Sequence, residues 1–547
     1  MTELIFALIL FPAWANVPQA PAAYPVAGVV VDAVTGAPVP HAELWTFVKN
    51  TEIKIIAGED GRFRFEALEA GKYLLYGQAQ GYVQEGYDQH GAFLTGIAVG
   101  VGLDSEHLVF RLHPQAVIHG RVTGDHGDAV RHASVRLFAS SNGRGMRARG
   151  VQWQTQTDDL GEYRFAHLLA GKYYVVVQAQ PWYAQAGLKW RNQSIQSGSF
   201  SRRLEVKLDP TLDVVYPVTF YPGVLNERSA TELNVTAGSP EEANIQLQAV
   251  PSVHVILKNL PVDEKDSNNF GVGANQEIFG SFAAVLAPVL GQISPGEYEI
   301  AGLPPGEITF TINQGANPQE NPRMFSANVS GDNTLDVAAS TAASANVSGR
   351  VIQQSGNADM QEAELTITGE GNRIASTKLR KDGTFSFAPV QAGTYKPYIA
   401  VPQGGQYVQQ VAASGAKVHG RQVTLDGIHE AQLTITLARG VGQLMGTAQL
   451  DGKPKAGAMV LLVPESGENM EDDFRMDQSD SDGTFALREI LPGKYRLMAI
   501  DDGWDLEWAN PAVLNPFREN AQIFEIVPDG STKATVNVQH STKNTPR

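Results

Sequence analysis

The stretch that decides the fold runs from Asp60 to Tyr73 and reads Asp-Gly-Arg-Phe-Arg-Phe-Glu-Ala-Leu-Glu-Ala-Gly-Lys-Tyr. Its two glycines, Gly61 and Gly71, stand ten residues apart, and glycine supplies turn conformations that other residues avoid. Between them Phe63 and Phe65 alternate with charged residues, which is the period of a strand with one buried face. The segment therefore predicts a strand, a short turn and a second strand.

The same motif occurs five times along the chain. The copies span residues 60–73, 160–173, 295–308, 382–395 and 482–495. Strand-like segments with a central glycine precede four of them, at Val26–Asp32, Val117–Thr123, Val347–Ile352 and Gln443–Leu450, and alternating strands close the units at 108–112, 244–247, 432–437 and 534–538. The copies are spaced by 87 to 135 residues, the size of a small two-sheet sandwich. No segment shows the periodicity of an amphipathic helix.

These spacings predict an all-β protein built as a tandem array of about five β-sandwich domains. The predicted sandwiches occupy residues 21–113, 114–249, 250–344, 345–438 and 439–541, between a signal peptide over 1–20 and a tail over 542–547. The second sandwich has a long insertion at about 181–235, interpreted as a loop or lid. The third is degenerate, because His254 stands where we expect the glycine of the opening strand.

Four segments of the first unit resemble the carboxypeptidase regulatory-like domain family: Val26–Asp32, Thr35–Val39, Asp60–Phe63 and Ala70–Tyr73. Similar segments extend the resemblance over nearly all of the mature chain. It implies a transthyretin-like (prealbumin-like, Ig-like) β-sandwich, also grouped with carbohydrate-binding-like folds. In carboxypeptidases this module accompanies the catalytic domain and has no catalytic residues, and in bacteria it occurs in envelope, receptor and adhesion-like proteins. The run Val218–Gly223 is similar to segments of large secreted bacterial proteins of this kind.

The composition excludes several classes of site and partner. The 547 residues include no cysteine, which excludes disulfides, cysteine-ligated zinc, iron–sulfur clusters and cysteine nucleophiles. The formal net charge is −16, and a negative charge opposes the phosphate neutralisation that drives nucleic-acid binding. We therefore expect no nucleic-acid partner.

The amino terminus predicts export. The apolar run Leu4–Phe11 is followed by Ala13 and Ala15, a spacing that a signal peptidase can cleave. Glu3 stands where basic residues are usual, so a buried terminal strand is the alternative interpretation. No segment approaches the roughly 20 apolar residues that a membrane-spanning helix needs. We expect an exported protein that is extracellular, on the cell surface or periplasmic, with no transmembrane segment.

The sequence has no recognisable catalytic motif. None of the 12 histidines precedes a glutamate by three residues, as zinc carboxypeptidases require, and serine-hydrolase and phosphate-loop motifs are absent. Two groups could bind metal or lie in surface turns: the Asp477–Gly483 run, and the histidines near Asp128, namely His113, His119, His126 and His132. We favour turns for both. The prediction is no enzyme, no metal and no cofactor.

Aromatic residues after the motif are the candidates for ligand binding. Tyr82, Trp182 and Trp504 stand eleven residues after the second motif glycine in three of the units. Tyr87, Tyr183, Trp190 and Trp508 lie near them, among amide and acidic residues. Planar rings beside such hydrogen-bonding groups can bind carbohydrate, whereas the alternative is that they cap the sandwich edge. The second unit is the best candidate, because Arg191 and Asn192 accompany its aromatic residues.

Two loops of opposite charge could form ion pairs between molecules. The basic loop has Arg144, Arg147 and Arg149, and the acidic loop has Glu468, Glu471, Asp472 and Asp473. The alternative, which we favour, is that both are solvated hairpin tips.

These observations predict a non-catalytic, exported multidomain protein that binds carbohydrate or a cell-envelope protein through its sandwich loops. The alternative is a structural protein that self-associates into an extracellular filament or surface layer, because sandwich edges can add strands between chains. The third interpretation is an accessory subunit of an envelope receptor or peptidase.

Overall fold

A computed structural model describes residues 23–141, 148–194, 201–260, 270–314, 323–340, 343–354, 360, 363–369, 373–387, 389–400, 406–465 and 473–541. The chain forms two compact units. The first comprises the residues up to Gln80, Gln84–Leu112 and Asp480–Asp482, and the second comprises Gly81–Val83, His113–Ser479 and the residues from Gly483 onward. The fold-class prediction is confirmed, since the described residues form many β-sheets of tandem β-sandwich type. The strands are described below by the five predicted ranges, which keep the names first to fifth sandwich. The predicted signal peptide and tail lie outside the described residues.

The first unit contains strands β1 to β9. They are β1 Ala23–Asp32, β2 Glu43–Val48, β3 Thr51–Ile56, β4 Arg62–Glu69, β5 Gly71–Tyr73, β6 Tyr76–Gln78, β7 Glu85–Gly86, β8 Ile97–Val99 and β9 Leu108–Leu112. One sheet has the order β4-β1-β9, a second has the order β3-β2-β6-β7, and β5 pairs with β8. Phe63 and Phe65 of β4 and Phe110 of β9 are buried, so the alternation in the motif places its aromatic residues in the core.

The second sandwich follows the same plan. Its strands are β10 Ala116–Thr123, β11 Ser134–Ser141, β12 Ala148–Gln156, β13 Glu162–Leu168, β14 Gly171–Gln178, β15 Trp190–Ser194, β16 Ser201–Glu205, β17 Val214–Val215, β18 Thr219–Phe220, β19 Leu233–Val235, β20 Pro240–Glu242 and β21 Ile245–Gln246. β10 pairs with β13, β20 and β21 in one sheet, and the other has the order β12-β11-β14, with β18 and β19 on β14. A 3₁₀ turn covers Glu227–Ser229.

The predicted insertion at 181–235 is too long. Strands β18 and β19 pair with β14, so they belong to the sandwich itself. The segment that departs from it contains the hairpin β15–β16 and ends near β17. Sequence patterns could not show this, because β18 has two residues and β19 has three.

The third sandwich has two four-stranded sheets. Its elements are β22 Val250–Pro251, β23 Val253–Lys258, β24 Phe270–Ile278, β25 Ser281–Ala284, β26 Val289–Ser294, β27 Glu297–Leu303, β28 Gly306–Gln314, β29 Arg323–Val329, β30 Asn333–Asp336 and the short helix α1 Val337–Ser340. The sheet orders are β26-β27-β23-β30 and β25-β24-β28-β29, and β22 pairs with β17.

The fourth sandwich contains strands β31 to β41. They are β31 Ser344–Ala345, β32 Val347–Gln353, β33 Glu364–Gly369, β34 Arg373–Lys378, β35 Thr384–Ser386, β36 Val390–Gln391, β37 Gly393–Ala400, β38 Gln406–Ser414, β39 Lys417–His419, β40 Gln422–Leu425 and β41 Ala431–Arg439. Its sheets have the orders β35-β32-β41-β38 and β34-β33-β37-β40-β39, and β31 pairs with β36.

The fifth sandwich differs in having its strands in one continuous ladder. The strands are β42 Gly442–Leu450, β43 Lys453–Pro454, β44 Met459–Pro464, β45 Arg475–Gln478, β46 Thr484–Ile490, β47 Gly493–Asp501, β48 Gln522–Ile526 and β49 Ser531–His540. β49 pairs with both β42 and β47, which joins the two layers into a single eight-stranded sheet.

The fifth sandwich contains a short helix that the search for amphipathic periodicity did not find. Helix α2 covers Pro511–Arg518, and the side chain of Asn510 accepts a hydrogen bond from the Ala512 N–H as its N-cap. Leu514 and Phe517 are buried in a cluster with residues of β44 and β47. The helix has eight residues, which is too short for a reliable periodic signal. Among the described residues, no helix has the length and apolar character to cross a membrane.

The first motif glycine adopts a turn conformation in all five copies. Its φ lies between 72° and 79° at Gly61, Gly161, Gly296, Gly383 and Gly483, in the left-handed region that favours glycine. At Gly161, a Cβ would also lie 2.5 Å from the Val122 carbonyl oxygen of the opening strand. The motif therefore depends on glycine for both conformation and space.

The register of the third sandwich corrects the interpretation of His254. In the other sandwiches the strand glycine pairs with the first aromatic residue of the motif, as Gly120 does with Tyr163. In the third sandwich Leu257 pairs with the corresponding Tyr298. Leu257 thus occupies the glycine position, and His254 lies three residues earlier, where it has a different environment.

Candidate functional site

A cleft of about 460 Å³ opens on the second sandwich. The turn between β10 and β11 contributes Asp128 and Arg131, the segment after β14 contributes Gln180 and Trp182, and Tyr216 follows β17. Because β10 and β14 belong to different sheets, the cleft lies between segments that leave both layers of the sandwich. Its volume is within the range of small-molecule sites, roughly 300–1,000 Å³.

The aromatic side of the cleft is exposed. Trp182 has 84% of its surface accessible, which is unusual for an indole. The Tyr183 ring lies edge-on to it, with 5.8 Å between ring centroids and an interplanar angle of 87°. Tyr216 is 6% exposed and forms a rigid wall. The cleft therefore presents one accessible flat face supported by two further aromatic rings.

The Asp125 carboxylate lies beside the cleft. The hydroxyls of Tyr183 and Tyr216 donate long hydrogen bonds of 3.4 Å to Asp125. Burial, and then the Asp125 charge, raise the pKa of both phenols above the ordinary value, because both effects disfavour a phenolate. The two hydroxyls remain protonated donors at neutral pH.

Asp125, His126 and Asp128 have side-chain oxygen and nitrogen atoms within 4.8 Å of one another. All three residues are exposed, as the predicted surface-turn role implies. Of the four histidines that the sequence groups with Asp128, His126 alone belongs to this set within the described part of the chain. The arrangement offers several hydrogen-bond acceptors beside an aromatic face, the combination that suits a polyhydroxylated ligand.

The carboxypeptidase regulatory-like domain family matches residues 25–112 and 117–248, which are the first two sandwiches. We call these two matching segments the first and second regulatory-like domains. The cleft lies in the second regulatory-like domain, and segments that connect its strands form it. The resemblance stated from the sequence is confirmed for these two domains.

No curated protein matches the chain. Among solved structures, the Bacillus anthracis TIE protein is 12% identical over 91% of this chain and 68% of its own, with a TM-score of 0.14. A minor pilin of Streptococcus agalactiae is 12% identical over 42% of this chain and 97% of its own, with a TM-score of 0.19. The major pilin subunit of Bacillus cereus is 12% identical over 59% of this chain and 99% of its own, with a TM-score of 0.14. At these values we draw no argument about function from them.

The structure brings two of the predicted site residues together in the second regulatory-like domain. These are Trp182 and Tyr183. Trp190 is half-buried at the start of β15, and its backbone N–H donates to the Glu299 carboxylate at 2.9 Å. Tyr82 is half-buried, and its backbone forms an isolated bridge with Pro114. The side chains of Arg191 and Asn192 lie outside the described residues.

Of the two predicted tryptophans of the fifth sandwich, Trp508 lies in its core and Trp504 is half-buried against that core. Trp508 is 8% exposed, and its ring lies 5.4 Å from that of Phe474. Trp504 packs against the same cluster and donates from Nε1 to the Gly457 carbonyl at 3.2 Å. A buried indole has no free face for a sugar, so the carbohydrate proposal below does not include these residues.

Sequence reasoning missed part of the cleft. Tyr216 and Gln180 line it, and Asp125 accepts from two of its hydroxyls, yet none of the three is part of the predicted site. Asp125 and Tyr216 are 91 residues apart, so only the sandwich topology brings them together. The one signal available was the proximity of Asp128 to the histidine group.

The acidic loop has a partner within the same chain. Asp473 forms an ion pair with Arg421, and both side chains are largely buried, at 14% and 12% exposure. Arg421 lies between β39 and β40 of the fourth sandwich. Side chains of Arg144, Arg147, Arg149, Glu468, Glu471 and Asp472 lie outside the described residues. In the Asp477–Gly483 run, Asp477 lies on β45 and accepts from the N–H groups of Gln478 and of Ala486 on β46.

Proposed function

We propose that this protein is a non-catalytic, exported binding protein that holds a carbohydrate in the cleft of its second regulatory-like domain. The observation that carries the proposal is Trp182, which is 84% exposed and lines a cleft together with the Asp128 carboxylate. Leaving a large aromatic surface in water has no benefit for folding. Stacking against the apolar face of a sugar ring would bury the exposed indole surface of Trp182.

The polar groups around Trp182 support the same class of ligand. Gln180, Asp128 and Arg131 line the cleft and offer donors and acceptors to hydroxyl groups. Tyr216 cannot turn away, because its ring is buried and its hydroxyl bonds to Asp125. A cleft that is largely formed before the ligand arrives loses little conformational entropy on binding.

Affinity electrophoresis against a panel of polysaccharides tests this proposal. We expect at least one polysaccharide to retard the protein, and Trp182→Ala to weaken that binding by about tenfold, equivalent to about 1.4 kcal/mol. Tyr398→Ala is the matched control, because Tyr398 is another exposed aromatic, at 46% exposure, in the fourth sandwich. Absence of retardation by any polysaccharide, or equal loss in both variants, would refute carbohydrate binding at this cleft.

A second candidate function is structural, by self-association of the kind that filament-forming proteins use. Strand β3 lies at the edge of its sheet, and its Ile53 and Ile56 are 36% and 71% exposed. Edge strands with exposed apolar side chains can pair with a strand of another molecule. This feature favours addition of strands between copies of the chain.

Light scattering at increasing protein concentration tests the structural role. If β3 pairs between copies, the mean mass will rise with concentration, and Ile56→Lys will suppress the rise, because a charge on an edge strand opposes pairing. Val101→Lys is the control, since Val101 is 87% exposed in a turn. A constant monomer mass for the unmodified protein would exclude this function.

A further inference from the structure

The insertion of the second sandwich docks onto the third sandwich. Strand β17 pairs with β22, and Leu188 lies so close to β26 that a Cβ on Gly291 would be 2.2 Å from Leu188 Cδ1. The backbone N–H groups of Lys189 and Trp190 both donate to the carboxylate of Glu299 on β27, each at 2.9 Å. The insertion thus covers a buried charge that belongs to the neighbouring sandwich.

His254 lies at the centre of this contact. Its Nδ1 is 2.8 Å from Glu299 Oε1, and its Nε2 is 2.8 Å from Asp213 Oδ2. Asp213 belongs to the insertion, just before β17. The side chains of His254, Asp213 and Glu299 are only 3%, 9% and 1% exposed. One imidazole therefore connects buried carboxylates from both sandwiches.

The remaining charges around His254 come from two further segments. Lys189 Nζ donates to Asp332 at 2.5 Å, and the His254 backbone N–H donates to the same carboxylate at 3.1 Å. Ser252 donates its hydroxyl to Asp213. Two carboxylates, Asp213 and Glu299, thus contact the ring nitrogens, and a third carboxylate, Asp332, lies beside the His254 backbone together with the cation Lys189.

This geometry distinguishes the two protonation states of the ring. A doubly protonated imidazolium donates to both carboxylates and offsets one of their charges. A neutral ring has one donor, so its other nitrogen would present a lone pair to a buried carboxylate. Burial by itself lowers the pKa of His254, but hydrogen bonds to Glu299 and Asp213 outweigh burial and raise it above the ordinary value.

We propose that His254 is a protonation-dependent latch, which holds the insertion on the third sandwich when charged and releases it when it loses its proton. The imidazolium contributes docking stability fully below the ordinary histidine pKa, about 6.5. That stability is lost as the pH rises through the higher pKa of the docked state. The latch is independent of the carbohydrate proposal, because it requires no ligand.

Hydrogen exchange at pH 6 and pH 9, corrected for the intrinsic exchange rate, measures the latch directly. We expect protection of amides in residues 185–194 and 204–213 to fall measurably at the higher pH, because the neutral ring no longer donates to both carboxylates. Amides of β10 should keep their protection. Protection of the insertion that does not change with pH would overturn the proposal.

Two variants separate the latch from general effects of pH. His254→Gln should show weak protection of the insertion at both pH values, because the amide has no positive charge and its two N–H donors share one nitrogen, so it cannot replace the two separate donors of the imidazolium. His107→Gln should behave as the unmodified protein, since His107 is 84% exposed and bonds only to Asp104 among the described residues. If His254→Gln retains full, pH-dependent protection, the latch does not reside in His254.

The unmodified protein supplies a test that does not require any variant to fold. The imidazole resonances of His254 can be followed by NMR from pH 5 to 10. We expect a midpoint above 6.5, coincident with the loss of protection in the insertion. A midpoint below 6.5, or one separated from the opening of the insertion, would refute the latch.

Discussion

At the scale of single residues, the strand glycines connect sequence to fold most directly. Gly28 pairs with the motif strand on one side and the closing strand on the other, and a Cβ there would lie 2.1 Å from the Leu108 carbonyl oxygen. Gly120 is placed in the same way, because a Cβ added there would lie 2.1 Å from the Ala243 carbonyl oxygen. A sequence pattern shows that glycine recurs, but the closing strand's carbonyl explains why.

Replacement of this glycine should therefore be costly. We expect Gly120→Ala to lower the free energy of unfolding by about 2 kcal/mol, because the added methyl group overlaps backbone that cannot move without breaking the ladder. Gly271→Ala is the matched control, since a Cβ at Gly271 would meet nothing within 4 Å. We expect this control to change the free energy of unfolding by at most about 0.5 kcal/mol in either direction. Urea denaturation of both variants measures the difference. Equal effects would contradict the steric explanation.

The candidate site could be predicted from the sequence only in part, and the reason is also visible at this scale. Trp182 and Tyr183 were found because they are adjacent and follow a recurring motif. The same spacing pointed to Trp504, which is instead packed in a core. The spacing from the motif determines where a residue lies relative to the strands. The exposure of its side chain depends on the other segments that pack against that position. In the fifth sandwich, Leu514 and Phe517 of helix α2 belong to the hydrophobic cluster against which Trp504 packs.

At the scale of elements, the junction of the second and third sandwiches shows what periodicity does not reveal. The hairpin β24–β25 ends at Phe279, which has a φ of 49°. Its ring lies 5.1 to 5.3 Å from those of Phe138, Tyr174 and Phe220 on the second sandwich. The Phe279 N–H donates to Glu227. A hairpin tip is usually polar and solvated, so an aromatic residue in such a strained conformation indicates a contact.

The two sandwiches therefore exchange elements in both directions. A hairpin of the third packs onto the sheet of the second, and the insertion of the second packs onto the sheet of the third through His254 and Glu299. The sequence indicated an insertion and an unusual third unit, but it could not indicate that they contact each other. Such contacts join residues that are far apart in the chain, as with the 110 positions between Lys189 and Glu299.

At the scale of the whole molecule, the repeat predicts separate cores, and separate buried clusters are present. Residues of the second, third, fourth and fifth sandwiches form distinct hydrophobic clusters. The first sandwich belongs to a compact unit of its own. The repeat was readable because each copy buries its own aromatic residues. The number of domains that unfold independently is a separate question, because neighbours can stabilise one another.

Differential scanning calorimetry of two core variants addresses that question. Phe110 in the first unit and Ile435 in the fourth sandwich are both fully buried, and truncation of such residues costs about 3 kcal/mol each. If the cores unfold separately, the calorimetric trace will contain separate transitions. Phe110→Ala and Ile435→Ala will then each lower the midpoint temperature of a different transition and leave the other midpoint unchanged. Phe47→Ala, at a position that is 49% exposed, should shift neither. A common shift of one single transition in both core variants would show that the sandwiches unfold as one cooperative body.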